Sequence, residues 1–161
     1  MSTTSFYNLK SKLKMINTNN NAAVSGKHRN RLERDREFLT MYRQALDLML
    51  AQHVRDPRRE AIRFTIHHSS PRYHVSYERA YIVVCRILNG DGNPLVPSLQ
   101  AQMWQEIADR VNSLRTSAGL SIARALDFVL EHCRASRFFI SENYAYTRLY
   151  PERKKTRNRL S

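Results

Sequence analysis

Glycine is scarce in this sequence: Gly26, Gly90, Gly92 and Gly119 are the four among 161 residues. That excludes a dinucleotide fingerprint or a P-loop, because both need several glycines at fixed spacing so that backbone can approach phosphate. Cysteine is rarer still. Cys85 and Cys133 are the two present, too few for a disulfide framework, and they point to a reducing cytoplasm. Long apolar runs are missing as well. The longest is the six residues Ala80 to Cys85, against the roughly twenty that span a bilayer. No basic-then-apolar start reads as a secretory signal. What remains is 42% hydrophobic and 25% charged, enough to bury a core in one domain or two very small ones.

Charge of one sign dominates, and its placement carries information. The formal net charge is +13, from 27 Lys and Arg against 14 Asp and Glu. Residues 1–36 hold eight basic and two acidic side chains, and residues 148–161 hold six and one. The stretch between them holds thirteen arginines against eleven acids, with no lysine. Most of the excess therefore sits in the two ends. Arginine offers a planar fork suited to phosphate or carboxylate, which a lysine point charge does not. Basic ends around an arginine-bearing body suggest a polyanionic partner. The alternative is that the ends merely keep the protein soluble. Residues 1–30, with Lys10, Lys12, Lys14 and Lys27 and an Asn run, read as a flexible basic arm, in which a marginal helix could form around Leu9, Leu13 and Ile16.

Self-similarity organises the body. The string Ala61-Ile-Arg-Phe-Thr-Ile-His-His68 aligns with Ala125-Leu-Asp-Phe-Val-Leu-Glu-His132, and Arg72-Tyr-His-Val-Ser76 with Arg137-Phe-Phe-Ile-Ser141. Ala80-Tyr81 then matches Ala145-Tyr146, for seven identities in all, where chance would give about one or two. This predicts a tandem duplication of a unit of about 63 residues. The units would span 31–90 and 98–150, packed as one domain, with 91–97 a linker and 151–161 a basic tail.

Each unit reads as helix, helix, short extended segment, helix. In the first, Phe38, Tyr42, Ala45 and Met49 follow helical spacing. Asp56-Pro57 starts a second helix with the stripe Ala61, Ile62, Thr65, Ile66. Ser76 caps a third with Tyr77, Ala80, Tyr81, Val84, Ile87 and Leu88 inward, ended by Asn89-Gly90. In the second unit Ser98 opens a helix with Met103, Trp104, Ile107, Ala108, Val111 and Leu114 inward, and Thr116 to Leu120 forms a turn. Ser121 opens a fifth helix with Ala125, Leu126, Val129 and Leu130, and Ser141 a short sixth, stopped by Pro151. Residues 72–75 and 137–140 are aromatic and β-branched, hence extended. The expected class is mainly α, with at most a two-stranded trace of β.

The repeated string Arg-[Tyr/Phe]-x-[Val/Ile]-Ser is the candidate functional element. Arg72 and Arg137 precede a helix start, where free N–H groups favour an anion, and Ser76 and Ser141 can cap or contact phosphate. Structurally, the same arginines could instead pair with an acid such as Glu78 or Glu142. His74-Val-Ser-Tyr77 followed by Ala80 resembles the turn and recognition-helix start of a helix-turn-helix, with a connection of nearly seven residues where that motif has three or four. The resemblance implies third helices in successive DNA grooves, with Tyr77, Arg79, Asn143, Tyr144 and Arg148 outward. Lys154, Lys155 and Arg157 of the tail would add phosphate contacts.

Metal and catalytic signals are weak. His67, His68, His74 and the pair His132-Cys133 lack paired zinc-ligand spacing, and His68 and His132 fit helix C-terminal caps. Cys85 and Cys133 read as small core residues, and Tyr81 and Tyr146 as core rather than as nucleophiles. No catalytic motif is present, so no cofactor, no metal and no enzyme is expected. The expectation is a non-catalytic nucleic-acid-binding protein, duplex DNA before RNA. The alternative is a protein-interaction or scaffold module with incidental basic ends.

Overall fold

The computed structural model describes residues 26–91 and 98–151. Six helices account for most of them: α1 Gly26–Ala51, α2 Pro57–His67, α3 Tyr77–Leu88, α4 Leu99–Ala118, α5 Ile122–His132 and α6 Glu142–Leu149. Their starts follow from local chemistry. The side chains of Asp56, Ser76, Ser98, Ser121 and Ser141 each accept from the backbone N–H three residues on, satisfying a donor that the first turn leaves free. Pro57 stands at the first position of α2, where a missing N–H costs nothing. Gly119, at φ 63°, closes α4 in the left-handed conformation.

The apolar stripes land as their spacing predicts. Ala61, Ile62, Thr65 and Ile66 are the buried residues of α2, and Ala125, Leu126 and Val129 those of α5. Phe38, Tyr42 and Ala45 are buried on α1, and Trp104, Ile107, Ala108 and Val111 on α4. These stripes build two clusters. One gathers α1, α2 and α6 with Phe138 and Ile140. The other gathers α3, α4 and α5 with Tyr73 and Ala135.

The clusters do not follow chain order. After α2 the chain leaves the first cluster, and α3 packs on α4 and α5. After α5 it leaves the second, and α6 returns to α2. The third helices are thus exchanged between the two halves. The two connectors cross where Ser70 and Ala135 trade both backbone hydrogen bonds, each 3.1 Å long, in one antiparallel bridge. That bridge is the whole trace of β among the described residues.

Side chains lock the crossing. Glu106 of α4 accepts from Tyr73 Oη on the first connector at 2.5 Å and from Ser136 N on the second at 2.9 Å. It also accepts from the Ser136 hydroxyl and lies 3.3 Å from Arg110. Arg134 donates to Ser69 Oγ, and Phe138 N to the carbonyl of Ile66. Burial alone would raise the Glu106 carboxyl, but the donors from Ser136 and Tyr73 together with Arg110 outweigh it and hold the group below its ordinary value. Tyr73, buried and bonded to that carboxylate, is pushed far above the usual phenol range.

Several expectations need correction. Gly26 to Asn30 belong to α1 rather than to a flexible arm; residues 1–25, with Leu9, Leu13 and Ile16, lie outside the described residues, as do 92–97 and 152–161. Helix α4 runs on through Ala118, because Gly119 and not Thr116 supplies the stop. Tyr81 is 39% exposed, its ring against Tyr77, since α3 presents only Ala80 and Val84 fully to the core. Cys133 follows the last turn of α5 as its cap residue, part-buried. The His68 and His132 rings lie against Phe64 and Phe128 four residues back, while backbone N–H groups close the helices. The helix-turn-helix arrangement is not adopted. Helices α2 and α3 belong to different clusters, because the connector between them is long enough to cross over.

Replacing Glu106 by Gln leaves the Tyr73 and Ser136 donors with a poorer acceptor and should lower the unfolding free energy by about 1.5–3 kcal/mol. Because the native carboxyl titrates below its unfolded value, its contribution is present above about pH 4.3 and lost as pH falls through the folded pKa. Urea unfolding at pH 7 and below pH 4 should show the difference between Glu106→Gln and the parent protein shrinking in acid.

Candidate nucleic-acid interface

The crossing forms the floor of a cleft of about 730 Å³. Four stretches line it. From the connectors come Ser70, Arg72 to Ser76 and Ala135 with Arg137 to Phe139. The first turns of α1 supply Lys27, His28, Asn30, Arg31 and Arg34, and the start of α4 supplies Gln100, Met103 and Trp104. Arg79, on the first turn of α3, completes the rim. Six of these side chains are Lys or Arg, and none of the described lining residues is acidic.

Helix α1 is positioned by its acids so that its bases overhang the cleft. Its buried residues begin only at Phe38, so its first three turns are held by polar contacts. Glu33 and Glu37, four apart and hence on one face, grip the first connector. Arg72 lies 3.0 Å from Glu33 and 3.2 Å from Glu37. His74 Nε2 lies 2.6 Å from Glu37. On another face Asp35 accepts from the Tyr144 hydroxyl at 2.8 Å and pairs with Arg148 at 3.1 Å. The Tyr144 ring sits between Arg34 at 4.8 Å and Arg148 at 5.3 Å. With these contacts fixed, Lys27, Arg31 and Arg34, spaced four and three residues apart, share the face that lines the cleft.

The six cations are not equivalent. Arg34 is committed to Asp35 and Tyr144. Arg72 is ion-paired but 44% exposed, so part of its fork remains open to a ligand. Arg137 differs from both: its Nε is buried and has no hydrogen-bond partner among the described residues. A buried guanidinium N–H without an acceptor is costly, and the rest of the Arg137 fork is left without an ion pair among the described residues to meet an anion in the cleft. The Ser76 hydroxyl at the rim is occupied as the cap of α3, where it accepts from Arg79 N.

Of the residues singled out in sequence, the structure brings Arg72, Ser76, Arg79 and Arg137 together in this cleft. The acid partners of Arg72 are Glu33 and Glu37 and not Glu78, while Glu142 pairs with Arg63 and not with Arg137. The others do not join them. Ser141 caps α6 with Asn143 exposed beside it, and Tyr144 and Arg148 are tied to Asp35 on α1. Tyr77 donates to the carbonyl of Ala123 on α5. Lys154, Lys155 and Arg157 lie outside the described residues. Sequence reasoning missed Arg31, Arg34, Met103 and Phe139; the spacing of Lys27, Arg31 and Arg34 was the available signal for the first two.

Among the described residues no group of three His, Cys, Asp or Glu side chains is placed to hold a metal ion, and no helix is long and apolar enough to cross a membrane. No family model, curated protein or solved structure matches this chain.

His74 makes the cleft floor sensitive to pH. Its side chain is 7% exposed and stacked on Phe138. Burial lowers its pKa, with Arg72 and Arg34 adding to this, and the Glu37 contact only partly offsets them. A histidine with a depressed native pKa contributes stability above its unfolded value near 6.5, which is lost as pH falls through the folded pKa. Unfolding free energy should therefore decline from pH 7 to pH 5, by at most about 1.4 kcal/mol per pH unit for one proton. His74→Gln should flatten that slope in a denaturation series.

Proposed function

We propose that this protein binds nucleic acid through the basic cleft, without catalysing a reaction, and that its basic chain ends add salt-dependent affinity. The observation that carries the reading is the convergence of six Lys and Arg side chains from distant parts of the chain on a concavity with no acidic lining residue among those described. Convergent cations raise the local concentration of a polyanion and exchange its counterions, which gives affinity that falls steeply with salt. The expectation of duplex DNA looks to Tyr77, Arg79, Asn143, Tyr144 and Arg148 facing outward. Tyr77 and Tyr144 are instead tied to the body, which weakens it, while Arg79, Asn143 and Arg148 are exposed. A cytoplasmic setting fits the reading.

We further infer that the body is a tandem duplication. The two residues that pair at the crossing, Ser70 and Ala135, stand at equivalent places, two before Arg72 and Arg137. Phe64 with His68 and Phe128 with His132 each bring their rings together four residues apart, stacked in the first pair and tilted in the second. Such an arrangement has the form of a pseudo-twofold in which the third helices change partners.

Protein–protein interaction is the second reading, favoured by the exposure of Phe64, Ile82 and Phe128 at 47%, 51% and 46%. One titration separates the two. Fluorescence anisotropy of the full chain with labelled oligonucleotide should show Arg31→Glu with Arg79→Glu weakening binding about tenfold or more. The same charge change at exposed Arg43 and Arg115, outside the cleft, should act only weakly. Equal losses in both pairs would make the protein a generic polycation and favour protein interaction.

A further inference from the structure

We propose that the cleft takes a single strand of nucleic acid, RNA or DNA, with one phosphate seated against Arg137. This rests on the nucleic-acid reading and narrows it to a strand type. A duplex carries its phosphates on a convex cylinder and is read by elements that protrude into a groove about 12 Å wide. The relief here is the reverse. The cations surround a concavity of about 730 Å³, and cavities of roughly 300–1,000 Å³ enclose ligands of small-molecule size, such as one or two nucleotides.

Depth decides between strand types. Lys27, Arg31 and Arg79 stand exposed on the rim, where any polyanion reaches them. Arg137 is part-buried, with its Nε covered and without an acceptor among the described residues, so the tip of its fork is what a phosphate entering the cavity meets. A stiff double helix cannot carry a phosphate down to it, whereas a flexible strand can turn one nucleotide inward. Part-buried Phe139 and Met103 line the same cavity, giving an inserted base an apolar surface to lie on, as sites for single strands do.

The test is anisotropy on the full chain near physiological salt. The probes are an unstructured single strand of about twelve nucleotides, as oligo-U and as oligo-dT, and a blunt duplex of the same length. Both single strands should bind at least about tenfold tighter than the duplex. Arg137→Ala should weaken the single strands about tenfold or more while leaving the duplex nearly unchanged, as expected for loss of a charge-assisted contact. Phe139→Leu, which keeps the site apolar, should cost the single strands about fivefold or more. Equal binding of duplex and single strands by the unaltered protein, or an Arg137→Ala variant that retains its melting temperature and full single-strand affinity, overturns the proposal and leaves the nucleic-acid reading standing. If neither probe binds, both fall.

Discussion

Ser70 and Ala135 exchange two backbone hydrogen bonds, and the architecture of the molecule turns on that crossing. Each connector delivers its following helix to the other half, so α3 completes the cluster of α4 and α5, and α6 completes that of α1 and α2. Neither cluster could fill without the other half of the chain, since each draws a connector ring as well, Tyr73 into one and Phe138 into the other. The Tyr73 hydroxyl, carried in with its buried ring, needs an acceptor. Glu106 supplies it, accepting from both connectors at once.

The crossing also fixes what lies above it. Arg72 and Arg137 follow the paired residues by two positions each, and both emerge on the cleft. Their fates then diverge because the halves are unequal. Helix α1 runs 26 residues against 20 for α4, and its acidic side chains reach over the first connector to hold Arg72 and His74. Arg137 has no such partner among the described residues, so its part-buried fork carries an unpaired charge on the cleft. The binding reading therefore comes from an asymmetry between two similar strings.

How much of this the sequence discloses depends on range. Local chemistry was legible: the serine and aspartate caps, the four-residue stripe of α2 and the short aromatic connectors could all be read from spacing. Tyr81 was misjudged because a helix facing only one neighbouring layer buries a narrow stripe, and Ala80 with Val84 fills it. The exchange of α3 and α6 leaves no periodic trace, because either partner would satisfy the same apolar face. For the site, Arg72 and Arg137 could be picked out as a repeated motif. Their sharing of one cleft with Lys27, Arg31 and Met103 could not, since convergence is a property of the crossing and not of any segment.

The nucleic-acid reading requires that the surface built at the crossing be the one a strand occupies. Amide hydrogen exchange of the full chain, with and without a saturating single-stranded oligonucleotide, tests it most directly. Binding in the cleft should add protection in the first turns of α1, in both connectors around Arg72 and Arg137, and at the start of α4, the stretches that line the cleft. Protection confined to residues 1–25 and 152–161, with the cleft stretches unchanged while the oligonucleotide is bound, would contradict it.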